Sequence, residues 1–302
     1  MRFVSYLLCM AVVSTTAIED SDEFPHFNIE INQDPKDRFK ETAAYFSDGI
    51  IETMDAYLEM LPEQIVTFFD KTYWIWAYTN SEKYQELEGI VEAVDSDKMT
   101  LSMAVLLNAL YEVEAWCTSI IAKGADGSII HQRNLDFDNP NQMRKITYSV
   151  TFTRDGEYVY DAVMFAGNLG VYTAVKKGAF SVSENERFPE TDPKGALENM
   201  MMMFKGTQEI SWLIRSTFET CDNYECAYEK LGHEKICALG YIILAGTKDD
   251  EGVVISRNRV GAAHEEHLNA TQWYLVQTNN DHWVPEGCYN RCASAHSNMD
   301  AM

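Results

Sequence analysis

The fold class of this chain is set by the sequence CTSIIAK-GADG-SIIHQRNL, which runs from Cys117 to Leu135. Its two apolar runs, Cys117–Lys123 and Ser128–Leu135, flank a four-residue link that contains two glycines. Short apolar runs joined by a glycine-containing link predict a β-hairpin. The residues before Cys117 have helical periodicity instead, so the structural period changes at this cysteine.

Helices and strands follow one another in blocks on both sides of this hairpin. A short strand is predicted over 25–31, and residues 36–115 then carry apolar residues at helical spacing. Further strands are predicted at Ile146–Thr153, Tyr158–Phe165, Tyr172–Val175, Phe180–Ser183, Tyr241–Ala245, Gly252–Arg257 and Trp273–Gln277, and helices at Lys194–Phe204 and Glu209–Leu231. The order of helices, hairpins, helices and hairpins favours an α+β fold in which helices cover antiparallel sheets.

Composition and charge restrict the possible functions. The chain has 302 residues, 46% of them hydrophobic and 12% aromatic, which favours a folded core over disorder. The formal net charge of −23 argues against nucleic acid as a partner, because an acidic surface repels phosphate. Residues 18–116 hold 22 acidic and 6 basic residues, against 25 and 17 in residues 117–302. The charge density therefore also changes near Cys117.

The first 17 residues predict a secretory signal peptide. Arg2 precedes the apolar run Phe3–Val13, and small residues follow up to Ala17. The apolar run is shorter than the roughly 20 residues that span a bilayer. The protein is therefore expected in the secretory pathway, in the lysosome or outside the cell. In that setting Asn269-Ala270-Thr271 is a candidate glycosylation site.

Six cysteines remain after residue 17, and an oxidising compartment permits disulfides among them. Cys221 and Cys226 lie five residues apart in a helical pattern, so we expect them on different helix faces and not paired with each other. If Cys117 has a chemical role, five cysteines remain, and at least one other thiol is expected to stay free. Zinc binding is an alternative that the irregular spacing disfavours, and no cofactor is expected.

Cys117 is the candidate nucleophile. A hairpin can bring Arg133 and Asp136, near the end of the second strand, back beside Cys117. A guanidinium stabilises a neighbouring thiolate, and a carboxylate can orient a base. The alternative is a buried structural cysteine near a surface ion pair.

The motifs around these residues resemble those of the acid ceramidase and N-acylethanolamine acid amidase family of N-terminal-nucleophile hydrolases. The resemblance covers about residues 24 to 291. The matching motifs are Cys117-Thr118-Ser119-Ile120, His131-Gln132-Arg133-Asn134-Leu135-Asp136, Phe165-Ala166-Gly167-Asn168-Leu169-Gly170, Phe180–Arg187, Ser211-Trp212-Leu213-Ile214-Arg215, Val253–Arg259 and Val276–Trp283.

This resemblance implies an αββα sandwich and a precursor that cuts itself between Trp116 and Cys117. The helical segment 18–116 would become an alpha subunit, and residues 117–302 the catalytic beta subunit. Cys117 would then attack the amide of a lipid, either an N-acylethanolamine or ceramide, and form an acyl-thioester.

The resemblance also implies roles for other residues. Arg133 would support the thiolate, Asp136 would hydrogen-bond the α-amine, and Asn279 would donate to the oxyanion. Glu186 and Arg291 would form a charged network near the cut, with a buried ion pair that has no chemical role as the alternative. The acyl-binding candidates are Tyr172, Phe165, Leu169 and Val171, with a plain core role as the alternative.

The stretches 65–69 and 73–76 are rich in large apolar residues. Most of them are expected in the core, and some could face a membrane or a lipid aggregate.

Several positions depart from the family pattern. Gln132 replaces a glycine, Asn280 a tyrosine and Tyr172 a tryptophan, and the family continues beyond Arg291 for longer than this chain does. The alternatives to a lipid amidase are therefore a hydrolase of bile-salt or penicillin amides and a truncated, non-catalytic lipid-binding product.

Overall fold

A computed structural model describes residues 24–110, 115–137, 140–187, 195–285 and 287–302. The predicted signal peptide, residues 1–17, lies outside the described residues. Within them, no helix combines the length and the apolar character needed to cross a bilayer.

The segment before the hairpin is helical, as its periodicity predicts. After strand β1 (His26–Glu30) it contains helices α1 (Lys40–Tyr45), α2 (Ser47–Met60), α3 (Glu63–Thr79), α4 (Ser81–Val94) and α5 (Leu101–Leu110). Helix α4 illustrates why: Leu87, Ile90 and Val94 recur at spacings of three and four residues and are buried together. This spacing gives the helix one apolar face that packs into the core.

The predicted hairpins are present. The strands are β2 (Ala115–Lys123), β3 (Ile129–Phe137), β4 (Thr147–Arg154), β5 (Glu157–Phe165), β6 (Thr173–Lys176), β7 (Phe180–Glu186), β8 (Gly240–Ala245), β9 (Gly252–Asn258), β10 (Gly261–His267) and β11 (Tyr274–Gln277). Asp155 and Gly156, which join β4 to β5, both have positive φ, as a two-residue hairpin turn of this hand requires.

The strands form two stacked sheets. The large sheet has the order β1-β4-β5-β6-β7-β8-β9-β10, and the small sheet has the order β11-β2-β3. Their facing sides meet through Ile121 of the small sheet and Tyr241, Ile243 and Val254 of the large one. The sequence therefore predicted the antiparallel pairing correctly, with β1 as an exception that joins β4 in parallel.

Helices cover the outer faces of both sheets. The remaining helices are α6 (Pro140–Lys145), α7 (Gly195–Phe204), α8 (Ile210–Thr220), α9 (Tyr224–His233) and α10 (Arg291–Asp300). Phe218 of α8 packs on Phe180 and Tyr160 of the large sheet. Ala295 and Met299 of α10 pack on Tyr274 and neighbouring apolar residues of the small sheet. The layers therefore run helix, sheet, sheet, helix.

Two sequence predictions about α8 and α9 were wrong. The helical stretch Glu209–Leu231 is two helices, because Asn223 caps a new helix by accepting a 2.9 Å hydrogen bond from the Cys226 amide. Cys221 ends the first helix and Cys226 lies in the first turn of the second, and the two form a disulfide. The bend between the helices brings together two cysteines that one continuous helix would have kept apart.

Cys288 and Cys292 form a second disulfide. Cys117 and Cys237 are buried and belong to neither of these two disulfides. That a thiol other than Cys117 stays free stays a prediction. Cys288, Cys292 and His296 also form a cluster of candidate metal-ligand atoms, but the two sulfurs are bonded to each other.

A buried ion pair joins the helical segment to the sandwich. The Arg215 guanidinium of α8 donates two hydrogen bonds, of 2.7 and 2.8 Å, to the Glu86 carboxylate of α4. Both residues are at most 1% exposed. Arg38 adds a further hydrogen bond to Glu86. Lys83 of α4 and Glu209, the residue before α8, form a second buried ion pair between these two helices.

We predict that Glu86→Ala destabilises the protein by about 3–5 kcal/mol, because it leaves the Arg215 charge buried without its partner. Urea unfolding followed by circular dichroism measures this loss. The control is Glu92→Gln on the same helix, whose half-exposed carboxylate pairs with surface lysines and is expected to contribute little to stability. Equal effects of both changes would contradict the prediction.

Candidate active site

Cys117 lies in β2, on the face of the small sheet that meets the large sheet. Its side chain is fully buried. Ser119 and Ile121 share this face because side chains alternate along a strand. In the ladder with β3, Cys117 is opposite Leu135 and Ser119 is opposite Arg133. The hairpin therefore places Arg133 on the same face as the thiol.

The Arg133 guanidinium connects the thiol to the large sheet. Its Nη2 atom donates to Cys117 Sγ over 3.4 Å and to the carbonyl oxygen of Glu184. Its Nη1 atom donates to Thr173 Oγ1 over 2.5 Å and to the Tyr172 carbonyl over 3.2 Å. Four acceptors hold the guanidinium plane, so its charge is fixed beside the sulfur.

Asp136 lies elsewhere. It is opposite Trp116 in the ladder and therefore on the other face of the small sheet from the Cys117 side chain. Its side chain is exposed. The structure does not bring the Asp136 carboxylate to the Cys117 thiol. Asp136 does lie across the β2–β3 strand pair from Trp116.

Asn279 and Arg291 hold the backbone of Cys117. The Cys117 amide donates to Asn279 Oδ1 over 2.8 Å, and Arg291 Nη1 donates to the Cys117 carbonyl over 2.8 Å. Arg291 also donates to Asn279 Oδ1 over 3.0 Å, and its guanidinium lies 5.7 Å from the centre of the Trp116 ring. The bond between Trp116 and Cys117 is thus flanked by residues that are far apart in sequence.

Glu186 contributes backbone groups to this arrangement. Its carbonyl oxygen accepts a 2.8 Å hydrogen bond from Asn279 Nδ2, which orients the amide so that Oδ1 faces Cys117. Its backbone N–H hydrogen-bonds the Cys117 sulfur and lowers the pKa of the thiol. With the amide oriented in this way, Asn279 accepts from Cys117, and its role as an oxyanion donor stays a prediction.

The thiol is neutral in this arrangement. Burial raises the pKa of Cys117, and the positive charge of Arg133 offsets this effect only in part. The buried carboxyl group of Glu184 on β7 acts in the same direction as burial. The sequence did not single out Glu184, because the strand FSVSENE is mostly polar and does not show which of its polar residues are buried.

Burial also raises the pKa of Glu184 itself, to about 7, although the Arg133 charge lowers it. The folded carboxyl therefore keeps its proton up to near neutral pH. An unfolded glutamic acid releases its proton near about pH 4.3. Glu184 is thus a protonated group in acid and a charged one in mildly alkaline solution.

A layer of hydroxyl groups lies beneath the site and was also missed. His131 hydrogen-bonds the hydroxyls of Ser181 and Ser183 over 2.9 Å, and Ser183 contacts Ser119, which donates to Asn185. Burial lowers the pKa of His131 to about 4, so its ring is neutral at pH 5 and above. These groups stabilise the meeting of the two sheets around Cys117.

The acyl-binding candidates are buried. Phe165, Leu169 and Tyr172 are at most 5% exposed, Val171 is fully buried, and all four belong to the main core cluster. Arg133 donates to the Tyr172 carbonyl, and Phe165 packs edge-on against Phe137 at the end of β3. The segment between them thus runs along the side of the site, while a direct role in binding stays a prediction.

The apolar stretches of α3 divide between core and surface. Phe69 is buried, whereas Phe68 and Trp74 are 40% and 60% exposed. Asn269, the glycosylation candidate, is exposed at a turn. Lipid contact and glycosylation both stay predictions.

The fold and site define a class of enzyme. A cysteine near the start of a central strand of an αββα sandwich, with an arginine held at its sulfur, is the arrangement of an N-terminal-nucleophile hydrolase. A solved N-acylethanolamine-hydrolyzing acid amidase ortholog from Caenorhabditis elegans matches this chain with a TM-score of 0.56 and 38% identity. The match covers 61% of this chain and 79% of that one.

Sequence relatives show the family. The N-acylethanolamine-hydrolyzing acid amidases of Caenorhabditis elegans and Rattus norvegicus are 34% and 32% identical over 87% and 86% of this chain, and 76% and 72% of their own lengths. Human acid ceramidase is 35% identical over 66% of this chain and 53% of its own length. No protein-family model matches. The chain belongs to the family of N-acylethanolamine-hydrolyzing acid amidases and acid ceramidases, and it is a hydrolase of linear amide bonds.

We predict that Glu184 makes the stability of the protein depend on pH. Between about pH 4.3 and 7 the folded state holds one proton more than the unfolded state at this residue, so its contribution to the free energy of unfolding falls as pH rises. Glu184→Gln removes the titration. The stability of the variant relative to wild type should therefore rise by about 3 kcal/mol from pH 4 to pH 8.

Urea unfolding at a series of pH values measures this difference. The exposed residue Glu157 on β5 offers a matched control, and Glu157→Gln should give a difference that stays flat across the same range. A flat difference for Glu184→Gln would show that the residue does not titrate in this window.

Proposed function

We propose that this protein is a self-activating lipid amidase. It cuts its own Trp116–Cys117 bond and then releases a fatty acid from the amide of an N-acylethanolamine. The observation that carries this proposal is the contact set of Cys117: Arg133 at its sulfur, Asn279 at its amide and Arg291 at its carbonyl. These contacts hold every polar group that the residue offers to the reaction.

The first reaction is an acyl shift from nitrogen to sulfur. The Cys117 thiol attacks the Trp116 carbonyl carbon, and collapse of the intermediate breaks the C–N bond. The thiol proton is transferred to the departing nitrogen, which becomes the α-amine of Cys117 and stays within reach of Asn279 Oδ1. Water then hydrolyses the thioester and leaves a carboxylate on Trp116 and a free thiol on Cys117.

The second reaction uses the new amine as its base. With a reference pKa of about 7.7–8.0, the α-amine can accept the proton of the Cys117 thiol, whose reference pKa is about 8.5. The thiolate attacks the substrate carbonyl and displaces ethanolamine, which takes up the proton. Water hydrolyses the acyl-thioester to the fatty acid. Arg133 stabilises the negative sulfur throughout.

The cut also gives Asp136 a role. Asp136 is opposite Trp116 in the ladder, so the cut leaves the new α-amine of Cys117 across the strand pair from Asp136. An amine that carries a proton attracts a carboxylate. Asp136 would therefore orient the amine only after processing.

The extent of the relatives supports an N-acylethanolamine as the substrate. The N-acylethanolamine amidases from Caenorhabditis elegans and Rattus norvegicus match 86% or more of the chain, whereas human acid ceramidase matches 66%. The predicted signal peptide and the exposed Asn269 acceptor support a place in the secretory pathway or the lysosome. An acidic compartment also suits Glu184, because burial raises its pKa to about 7 and acid keeps it neutral near the thiol.

The proposal is tested on purified full-length protein incubated at about pH 4.5, a pH near the reference pKa of glutamic acid. We expect conversion to a piece that ends at Trp116 and a piece that begins at Cys117, measured by intact mass. Hydrolysis of N-palmitoylethanolamine should follow. Cys117→Ala should block both reactions, whereas Cys237→Ala, which changes a buried cysteine outside the two described disulfides, should permit both.

Two results would count against the proposal. An uncut wild-type protein would refute self-activation, and a cut protein without fatty-acid release would refute the substrate class.

We also predict that Arg133→Gln slows the self-cleavage. Loss of a charge-assisted hydrogen bond costs about 1.5–3 kcal/mol, which corresponds to about 10- to 100-fold in rate. Arg133→Lys should recover part of the rate because it keeps the charge. The exposed Arg144 of α6 provides the control, and Arg144→Gln should cleave like wild type. A wild-type rate in Arg133→Gln would exclude a role for this charge.

A further inference from the structure

Asn108 of α5 makes contacts that the reaction scheme does not use. Its Nδ2 atom donates to the Gly167 carbonyl over 2.9 Å, and its Oδ1 atom accepts from the Leu169 amide over 2.9 Å. The Nδ2 atom also donates to the Ala104 carbonyl within α5, which fixes the side-chain amide on its helix. One side chain therefore satisfies both a donor and an acceptor of the segment 166–171, which we term the wall loop.

The wall loop is an unusual backbone that needs such partners. Gly167 has φ of +88°, a conformation that other residues adopt at a cost. Asn168 folds back, and its Oδ1 atom accepts from the Gly170 amide over 2.7 Å. Further restraints come from α8, where the Ser211 carbonyl accepts from the Val171 amide over 3.1 Å and Arg215 donates to the Leu169 carbonyl over 3.4 Å. Asn108 thus holds the loop from one side and α8 holds it from the other.

The wall loop lies beside the site. The residue before the loop, Phe165, packs on Phe137. The residue after it, Tyr172, has a carbonyl that accepts a hydrogen bond from Arg133. Arg133 in turn contacts Cys117 Sγ. A shift of the loop would therefore move the apolar side chains of Leu169 and Val171 relative to the thiol.

Asn108 and the wall loop lie on opposite sides of the proposed cut. Residue 108 belongs to the segment 18–116, and the loop belongs to 117–302. Asn108 holds the loop through hydrogen bonds, and the two disulfides among the described residues both lie within residues 117–302.

We propose that Asn108 is a positioning residue for acyl-chain selection, through which the N-terminal piece shapes the substrate wall of the catalytic piece. This inference rests on the proposed amidase function and deepens it. The N-terminal piece then remains a working part of the cleaved enzyme. Chain-length preference is set in part by a residue that touches no substrate.

The test compares wild type with Asn108→Leu, a variant of similar size that keeps neither hydrogen bond. Both proteins are processed in acid and assayed with N-acylethanolamines of 8, 12 and 16 acyl carbons. We expect about a tenfold rise in KM for the longest acyl chain, a smaller rise for the shortest and little change in kcat. The reason is that the proposed wall contacts the acyl chain of the substrate and does not contact the thiol. Unchanged KM values across the series would overturn the proposal.

Asn108→Asp keeps the test decisive if the leucine variant fails to fold. In acid its protonated carboxyl donates to the Gly167 carbonyl as the amide does, while at pH 6.5 a carboxylate repels that oxygen. We expect chain selection to be lost at pH 6.5 and to approach the wild-type pattern as the pH falls toward about 3.9, the reference pKa of aspartic acid. The same pH dependence in wild type and in Asn108→Asp would overturn the proposal.

Hydrogen exchange separates this proposal from the proposed function. If wild type hydrolyses none of the amides, the amidase function fails, and exchange in the peptide spanning 165–172 still measures the clamp. We expect faster exchange in Asn108→Leu than in wild type, and equal exchange would refute positioning by Asn108. The exposed Asn141 of α6 gives the matched control, Asn141→Leu, which should leave the loop unchanged.

Discussion

The buried pair between Glu86 and Arg215 is the interaction on which the described architecture depends. Two opposite charges that are almost fully removed from water are stable only together, since either one alone is costly to bury. The pair fixes α4 of the helical segment to α8, and α8 packs on the large sheet through Phe218. Arg215 also stacks on Trp212 and reaches the Leu169 carbonyl. The helical segment, the wall loop and the sandwich are therefore one packed unit, which explains how a chain cut at Trp116 could remain assembled.

The site holds the candidate nucleophile, the neutral thiol of Cys117, beside the fixed positive charge of Arg133. Burial raises the pKa of Cys117, so the thiol keeps its proton until a base is available, and in the proposed scheme that base appears only when the chain is cut. Arg133 stays in position meanwhile because carbonyl and hydroxyl oxygens hold its plane. Glu184, whose pKa burial raises to about 7, adds a negative charge near the sulfur only as the solution becomes neutral. Protonation of Glu184 in acid thus removes one of the effects that raise the pKa of the Cys117 thiol.

Part of this arrangement could be predicted from residue spacing alone. The alternation of apolar residues predicted the hairpin, and the hairpin predicted that Arg133 meets Cys117, because a side chain's face follows from its position in a strand. The same rule, applied with the register, places Asp136 on the other face, and the register was not available from the pattern. Asn279 and Arg291 could be proposed only through the family resemblance, since 162 and 174 positions separate them from Cys117. Glu184 and Asn108 were missed because a buried polar residue and a solvated one look the same in a sequence.

The sequence by itself determined the α+β class and the change from helices to strands just before Cys117, because these depend on local periodicity. Motifs of adjacent residues also made Cys117 the candidate nucleophile. Only the tertiary structure decided which faces meet. It paired Cys221 with Cys226 through a bend between two helices, turned Asp136 away from the thiol, and brought Asn108 to the wall loop. The physical reason is that hydrogen bonds and burial act over a few ångströms. Packing, and not spacing along the chain, sets which groups come within that range.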